Sequence, residues 1–246
     1  MRLEKLTPQE VNTYFKSKNT VIIPTGSIEC HGTHNVLGVD TLAVEKLADM
    51  ISKKSHTLIA TTIPYGACDN LSEYPGTISI GHDLFCQIVE RVVNEFIKHG
   101  AERFVFLNGH GGNIPALNQV CLNLYNKGKL GAIMNWWLMS WELNPEWKGG
   151  HGGAQETSAM LAIDPSLVKM DLIEEMGLIN DIKSFETVGF TNVSFKGVTI
   201  PVPRPTSAYA KNGWIGPDHP KNANIKWGTE MLEACANYIC EFIEQF

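Results

Sequence analysis

The chain has 246 residues, 43% of them hydrophobic and 19% charged, with 20 basic against 26 acidic side chains and a formal net charge of −6. This is enough apolar material for a large core, and one domain is expected over residues 1–246. The mild acidic balance argues against a nucleic-acid or membrane surface, both of which need clustered positive charge; no run of about 18 apolar residues occurs.

Along the chain, Thr7-Pro8-Gln9-Glu10 is a capping box with proline at the first helical position, which predicts a short helix to about residue 17. Residues 20–24, TVIIP, are a β-branched apolar run and predict a buried strand. Residues 25–38 hold too much glycine for a helix interior and predict a loop; residues 41–52 then carry Leu42, Ala43, Leu47 and Ala48 at helical spacing. A second strand is predicted over 57–63, a Gly/Pro-rich loop over 64–81, and an amphipathic helix over 84–98 closed by Gly100. Residues 103–107 predict a third strand, 114–126 a helix, and 130–136 a fourth strand. Helices are expected over 154–163 and 225–244, with a β-hairpin or irregular excursion between them at 189–205. Alternating strands and helices imply an α/β fold with a largely parallel sheet covered on both faces. Ligands in such sheets bind at loops beyond the carboxyl ends of strands.

The six cysteines, Cys30, Cys68, Cys86, Cys121, Cys235 and Cys240, form no Cys-x-x-Cys pair and read as reduced thiols. With an N-terminus, MRLEKLTPQE, that has no apolar leader, they make the cytoplasm the expected location.

Three glycine-rich loops carry the chemistry. The first, Gly26-Ser27-Ile28-Glu29-Cys30-His31-Gly32-Thr33-His34 followed by Asp40, concentrates carboxylates and imidazoles, the oxygen and nitrogen ligands of Zn, Mn or Fe. Glu29 and His31 face one side in an extended segment. Asp40, at the start of the next helix, favours its positive end and could bridge two metals. Alone, the segment reads equally as solvated loop polars with Asp40 as an N-cap. The second loop, Asn108-Gly109-His110-Gly111-Gly112-Asn113, follows the third strand; it lacks the Lys-Ser/Thr of a phosphate loop and the spacing of a dinucleotide site. The third, His151-Gly152-Gly153-Ala154-Gln155-Glu156-Thr157, places Glu156 in the first turn of a helix, where it could also serve the helix dipole alone. Trp136, Trp137, Trp141 and Trp147 precede His151 and could wall a planar substrate or pack in the core. His34 is read as a loop hydrogen-bonder, and His56, His82, His99 and His219 as surface or capping residues.

In this order, GSIECHGTHNVLGVD, NGHGGN and HGGAQET, with PYG and YPGTISI between the first two, resemble the creatininase (creatinine amidohydrolase) family over roughly residues 20–165. The resemblance implies a three-layer α/β/α sandwich, two divalent metal ions per subunit and a homohexamer. It implies that Glu29, Asp40 and His110 hold one ion and that His31, Asp40 and Glu156 hold the other. His151 is the implied catalytic histidine, with Glu156 beside it in the chemistry. The implied activity is hydrolysis of a C–N bond in a small, cyclic amide by water activated between the metals. Deformylation of a formylated aminopyrimidine and peptide processing are the alternatives within the family; a catalytically inactive small-molecule-binding relative is the alternative outside it. Three positions depart from the pattern: Cys30 stands for glutamine, Gly112 for the metal-binding glutamate of the creatinine-hydrolysing branch, and Asn70-Leu71 for Glu-His.

Overall fold

A computed structural model describes residues 1–246. Four strands, β1 (Thr20–Thr25), β2 (Leu58–Ile59), β3 (Arg103–Asn108) and β4 (Leu130–Asn135), form a wholly parallel sheet in the order β2-β1-β3-β4. Strand residues alternate between two cores. Val21, Ile23, Phe104 and Phe106 meet helices α1 (Pro8–Phe15), α3 (His82–Lys98) and α4 (Ile114–Asn126), whereas Ile22, Val105 and Leu107 meet α2 (Val39–Lys54), α6 (Ala154–Ile163) and α7 (Ile225–Gln245). Both faces are covered, so the strands read as unbroken apolar runs and the architecture is α/β/α.

The capping box at Thr7 forms, with Glu10 accepting from the Thr7 N–H at 2.7 Å. Three expectations need correction. The second strand is only Leu58–Ile59, because the chain leaves β1 after Ala60 and rejoins it through a single bridge at Ile63. The fourth strand stops at Asn135, since Trp136–Leu143 forms helix α5. Its Trp-rich sequence favours strand locally, and no side chain caps its start. Finally, the excursion before the last helix is a three-stranded antiparallel sheet of β5 (Glu186–Val188), β6 (Asn192–Phe195) and β7 (Val198–Pro201), beginning before residue 189. No helix is long and apolar enough to cross a membrane, and all six cysteines are free.

Thr25, Asn108 and Asn135 end β1, β3 and β4 in register. Thr25 Oγ1 donates to Asn108 Oδ1 at 3.1 Å, and Asn108 Nδ2 donates to Asn135 Oδ1 at 2.8 Å and to the His110 carbonyl at 2.7 Å. Asn113 extends this belt by donating to the Gly26 carbonyl and accepting from the Ala67 N–H. Thus the loops after β1 and β3, and the loop that follows β2, are laced together at the carboxyl edge of the sheet.

Candidate metal centre

All five expected ligands converge at that edge. Glu29, His31, Asp40, His110 and Glu156 are each less than a tenth exposed. Asp40 enters from the first turn of α2 and divides its carboxylate: Oδ1 lies 3.1 Å from His31 Nε2, and Oδ2 lies 3.1 Å from His110 Nδ1. Glu29 Oε1 stands 3.2 Å from His110 Nδ1, and Glu156 Oε2 stands 3.6 Å from His31 Nε2. The ligand atoms of Glu29, Asp40 and His110 fall within 4.8 Å of one another, as do those of His31, Asp40 and Glu156. Asp40 belongs to both sets.

Neighbouring groups aim these side chains. His31 donates Nδ1–H to the Glu29 carbonyl at 3.1 Å, and His110 donates Nε2–H to the Ala67 carbonyl at 3.0 Å, so each ring turns its other nitrogen inward. Ser27 donates to Asp40 Oδ2 at 2.6 Å, and the Gly152 N–H donates to Glu156 Oε2 at 2.7 Å. Glu29 Oε2 and His31 Nε2, though buried, have no hydrogen-bond partner. Three buried carboxylates with two inward imidazole nitrogens, two of whose atoms are orphaned, fit divalent cations.

The electrostatics of the protein alone agree. Burial raises Glu29, and it raises Glu156 to about 7. Burial would lower His31, but the facing carboxylates of Asp40 and Glu156 prevail and push it up to about 10. His110 is likewise lifted well above its ordinary value, against burial, by Glu29 and Asp40. Asp40 is held far below the usual carboxylate range by His31 and His110 despite its burial. Protons on the imidazoles thus balance carboxylate charge where cations would do so.

His151 sits apart in character. Its Nε2–H donates to the Cys30 carbonyl at 2.8 Å, and its Nδ1 lies 3.8 Å from Glu29 Oε1. Burial, then the charge on His31, pushes it well below the ordinary imidazole value, so it is a neutral base facing the cluster. A cavity of about 390 Å³ opens over the carboxylates, with Trp137, Trp141 and Phe190 in its walls. Asn70 and Leu71 line it as well. Trp136 is instead core, and Trp147 packs against the same core. His34 is buried beside Thr157, with Nε2 3.0 Å from its hydroxyl. His56 and His82 are exposed, while His99 ends α3 and His219 caps a turn at Pro220.

Gly112 lies against both the Ala67 carbonyl and His110. A Cβ there would lie 2.0 Å from the Ala67 carbonyl oxygen and 2.5 Å from His110 Nε2, so this backbone leaves no room for a side chain. Two contributors escaped the sequence. Phe190 gave no signal beyond one aromatic in a turn. Asp218, in Gly216-Pro217-Asp218-His219-Pro220, accepts from the Gln155 N–H at 2.8 Å and serves the start of α6, whose own N-cap, Gly153, has no side chain. An acidic residue in a Gly/Pro turn was the available clue.

A family model described as creatininase, creatinine amidohydrolase, matches residues 4–243. Creatinine amidohydrolase of Pseudomonas putida is 27% identical over 175 residues, which is 62% of this chain and 67% of that protein. The mycofactocin precursor peptide peptidase of Mycobacterium ulcerans (strain Agy99) is 30% identical over 161 residues, 62% of this chain and 61% of that protein. The matches therefore span about three fifths to two thirds of these relatives' own lengths. A solved creatinine amidohydrolase superposes with a TM-score of 0.77 at 23% identity, over 99% of this chain and 96% of the other, and so shares the fold. Because the family model takes in all but a few terminal residues, the chain belongs to the creatininase family.

Proposed function

We propose that this creatininase-family protein is a metal-dependent amidohydrolase that cleaves a C–N bond of a small, compact, cyclic amide. In this reading Glu29, Asp40 and His110 hold one divalent ion, and His31, Asp40 and Glu156 hold a second. The observation that carries it is the division of Asp40, each oxygen 3.1 Å from the inward nitrogen of a different histidine. When bound, the ions supply Lewis acidity and bring the pKa of water toward neutrality.

The chain's own residues do the rest. Neutral His151, its Nε2–H committed to Cys30, takes on Nδ1 the proton that the attacking water gives up and delivers it to the nitrogen as the C–N bond breaks. Gly152 anchors Glu156, and Ser27 anchors Asp40, so the carboxylates do not swing during turnover. Trp137 and Trp141 offer faces to a planar ring. The cavity lies toward the small end of small-molecule sites, which suits a compact substrate. A second reading, cleavage of an amide in a short peptide, is supported by the 30% identity to the mycobacterial peptidase.

The test is creatinine hydrolysis by the purified chain reloaded with Mn or Zn, against a chelated control, with metal content measured in parallel. Metal-dependent turnover supports the reading. No turnover from a protein holding close to two ions moves the substrate to a peptide or a formylated pyrimidine. A Glu29→Ala protein that retains full activity without bound metal sinks the scheme.

A further inference from the structure

The turn between β5 and β6 reaches the metal centre from a separate part of the fold. Gly189, Phe190 and Thr191 close the hairpin beyond its last pair, Val188 and Asn192. Phe190 presents its ring edge-on to His151, with centroids 5.0 Å apart and planes at 68°. It lines the same cavity as Trp137 and Trp141, yet 37% of it is exposed. The ring thus stands partly open to the cavity, beside the half-buried His151.

The turn is anchored with unusual care. Thr191 is held at φ 51°, a left-handed conformation costly for a β-branched residue. Its N–H donates to the Tyr209 hydroxyl at 3.0 Å, and its carbonyl accepts from the Val202 N–H at 2.7 Å and from Arg204 Nη1 at 3.3 Å. Arg204 is fixed in turn by two hydrogen bonds to Asp181, at 2.9 and 2.8 Å, and lies 4.4 Å over the ring of fully buried Tyr209. The Arg204 fork therefore fixes the residue next to Phe190, which sets where the ring stands.

We propose that Phe190 is a specificity-determining residue. Its ring covers His151 and supplies an aromatic wall against which a planar, uncharged or cationic substrate packs, and Arg204 is the positioning residue that keeps it there. The inference rests on the reading of the cavity as the substrate site. Aromatic faces attract cations and tolerate neutral rings.

The test uses the full chain loaded with Mn and two readouts. The first is carbethoxylation of His151 by diethyl pyrocarbonate, followed by peptide mass mapping; it needs no substrate. The second is steady-state kinetics on whichever amide the wild type hydrolyses. Phe190→Ala should label His151 severalfold faster and raise KM about tenfold while kcat changes much less, since the lost ring contact is a binding term. Phe190→Tyr keeps the ring and should restore both values. Arg204→Lys, which keeps the charge beside Asp181 but not the fork, should move both in the direction of Phe190→Ala by a smaller factor.

Unchanged labelling in Phe190→Ala overturns the proposal whatever the chain hydrolyses. Faster labelling with an unchanged KM overturns Phe190 as a specificity determinant. Failure of the wild type to hydrolyse any amide refutes the amidohydrolase reading instead, and the labelling ratio then decides whether Phe190 covers His151.

Discussion

Ser27 donates its hydroxyl to Asp40 Oδ2 at 2.6 Å, the same oxygen that stands 3.1 Å from His110 Nδ1. The bond fixes the rotation of the carboxylate shared by both ligand sets. Removing it leaves Asp40 free to turn one oxygen away, so Ser27→Ala should weaken divalent-ion affinity by about 10- to 100-fold. Titration of the metal-free protein with Zn or Mn reads this directly. Wild-type affinity in Ser27→Ala would show that helix α2 alone sets the orientation of Asp40.

At Gly112 the backbone is pressed against the Ala67 carbonyl that orients His110. Gly112→Ala should therefore displace that carbonyl or His110, lower stability by about 1–3 kcal/mol and weaken metal binding with it. Gly112→Glu should do no better, although it restores a carboxylate in the sequence. Chemical denaturation and metal content of the two variants are the measurements; a stable, metal-replete Gly112→Glu protein would contradict the steric account.

His34 makes a prediction about acid. Burial, together with the His31 charge, pushes its pKa down from 6.5 to about 4 in the folded chain. Its contribution to stability is intact above the unfolded value of 6.5 and is lost as pH falls through 4, because the unfolded chain takes up a proton that the folded chain refuses. Unfolding free energy should fall over that window by at most about 3 kcal/mol from this group. His34→Gln should flatten that part of the profile measured by urea titration at several pH values. An unaltered slope would assign the acid sensitivity to other groups.

Asp218 serves α6 from a distant part of the chain. Its carboxylate lies so close that a Cβ at Gly149, Gly153 or Gly216 would come within 2.5, 2.2 and 2.6 Å of one of its oxygens. Asp218→Ala should cost about 2 kcal/mol, the upper end for a lost cap, and Asp218→Asn less. Glu156 sits in the first turn of that helix, so the alanine variant should also bind metal more weakly. Unchanged denaturation midpoints would show that Gly153 and water suffice at the helix start.

Much of this was legible in the residues. The capping box at Thr7, the unbroken apolar runs of β1 and β3 and the helical spacing after Asp40 each express a local rule that the tertiary structure keeps. The convergence of the candidate ligands was legible for another reason: they cluster in three short glycine-rich loops, each following a strand or opening a helix. Helix α5 was not legible, because Trp136-Trp137-Leu138-Met139 has the local preference of a strand and becomes a helix through packing against α7 and the core. Phe190 and Asp218 act on the site across long sequence separations, and neither carries a periodic or motif signal.

Asn108 joins the sheet to the turn that carries His110. It ties the last residues of β1 and β4 to the His110 carbonyl, so the metal-facing turn hangs directly from the sheet with no hinge between them. A centre mounted on a flexible loop can release an ion by local fluctuation. Here the turn that carries His110 is tied to strand ends that are among the most buried parts of the molecule, while the cavity leaves the open side of the centre accessible. Ions should therefore pass through the cavity without local unfolding, and the side chains should keep their places when the ions are removed.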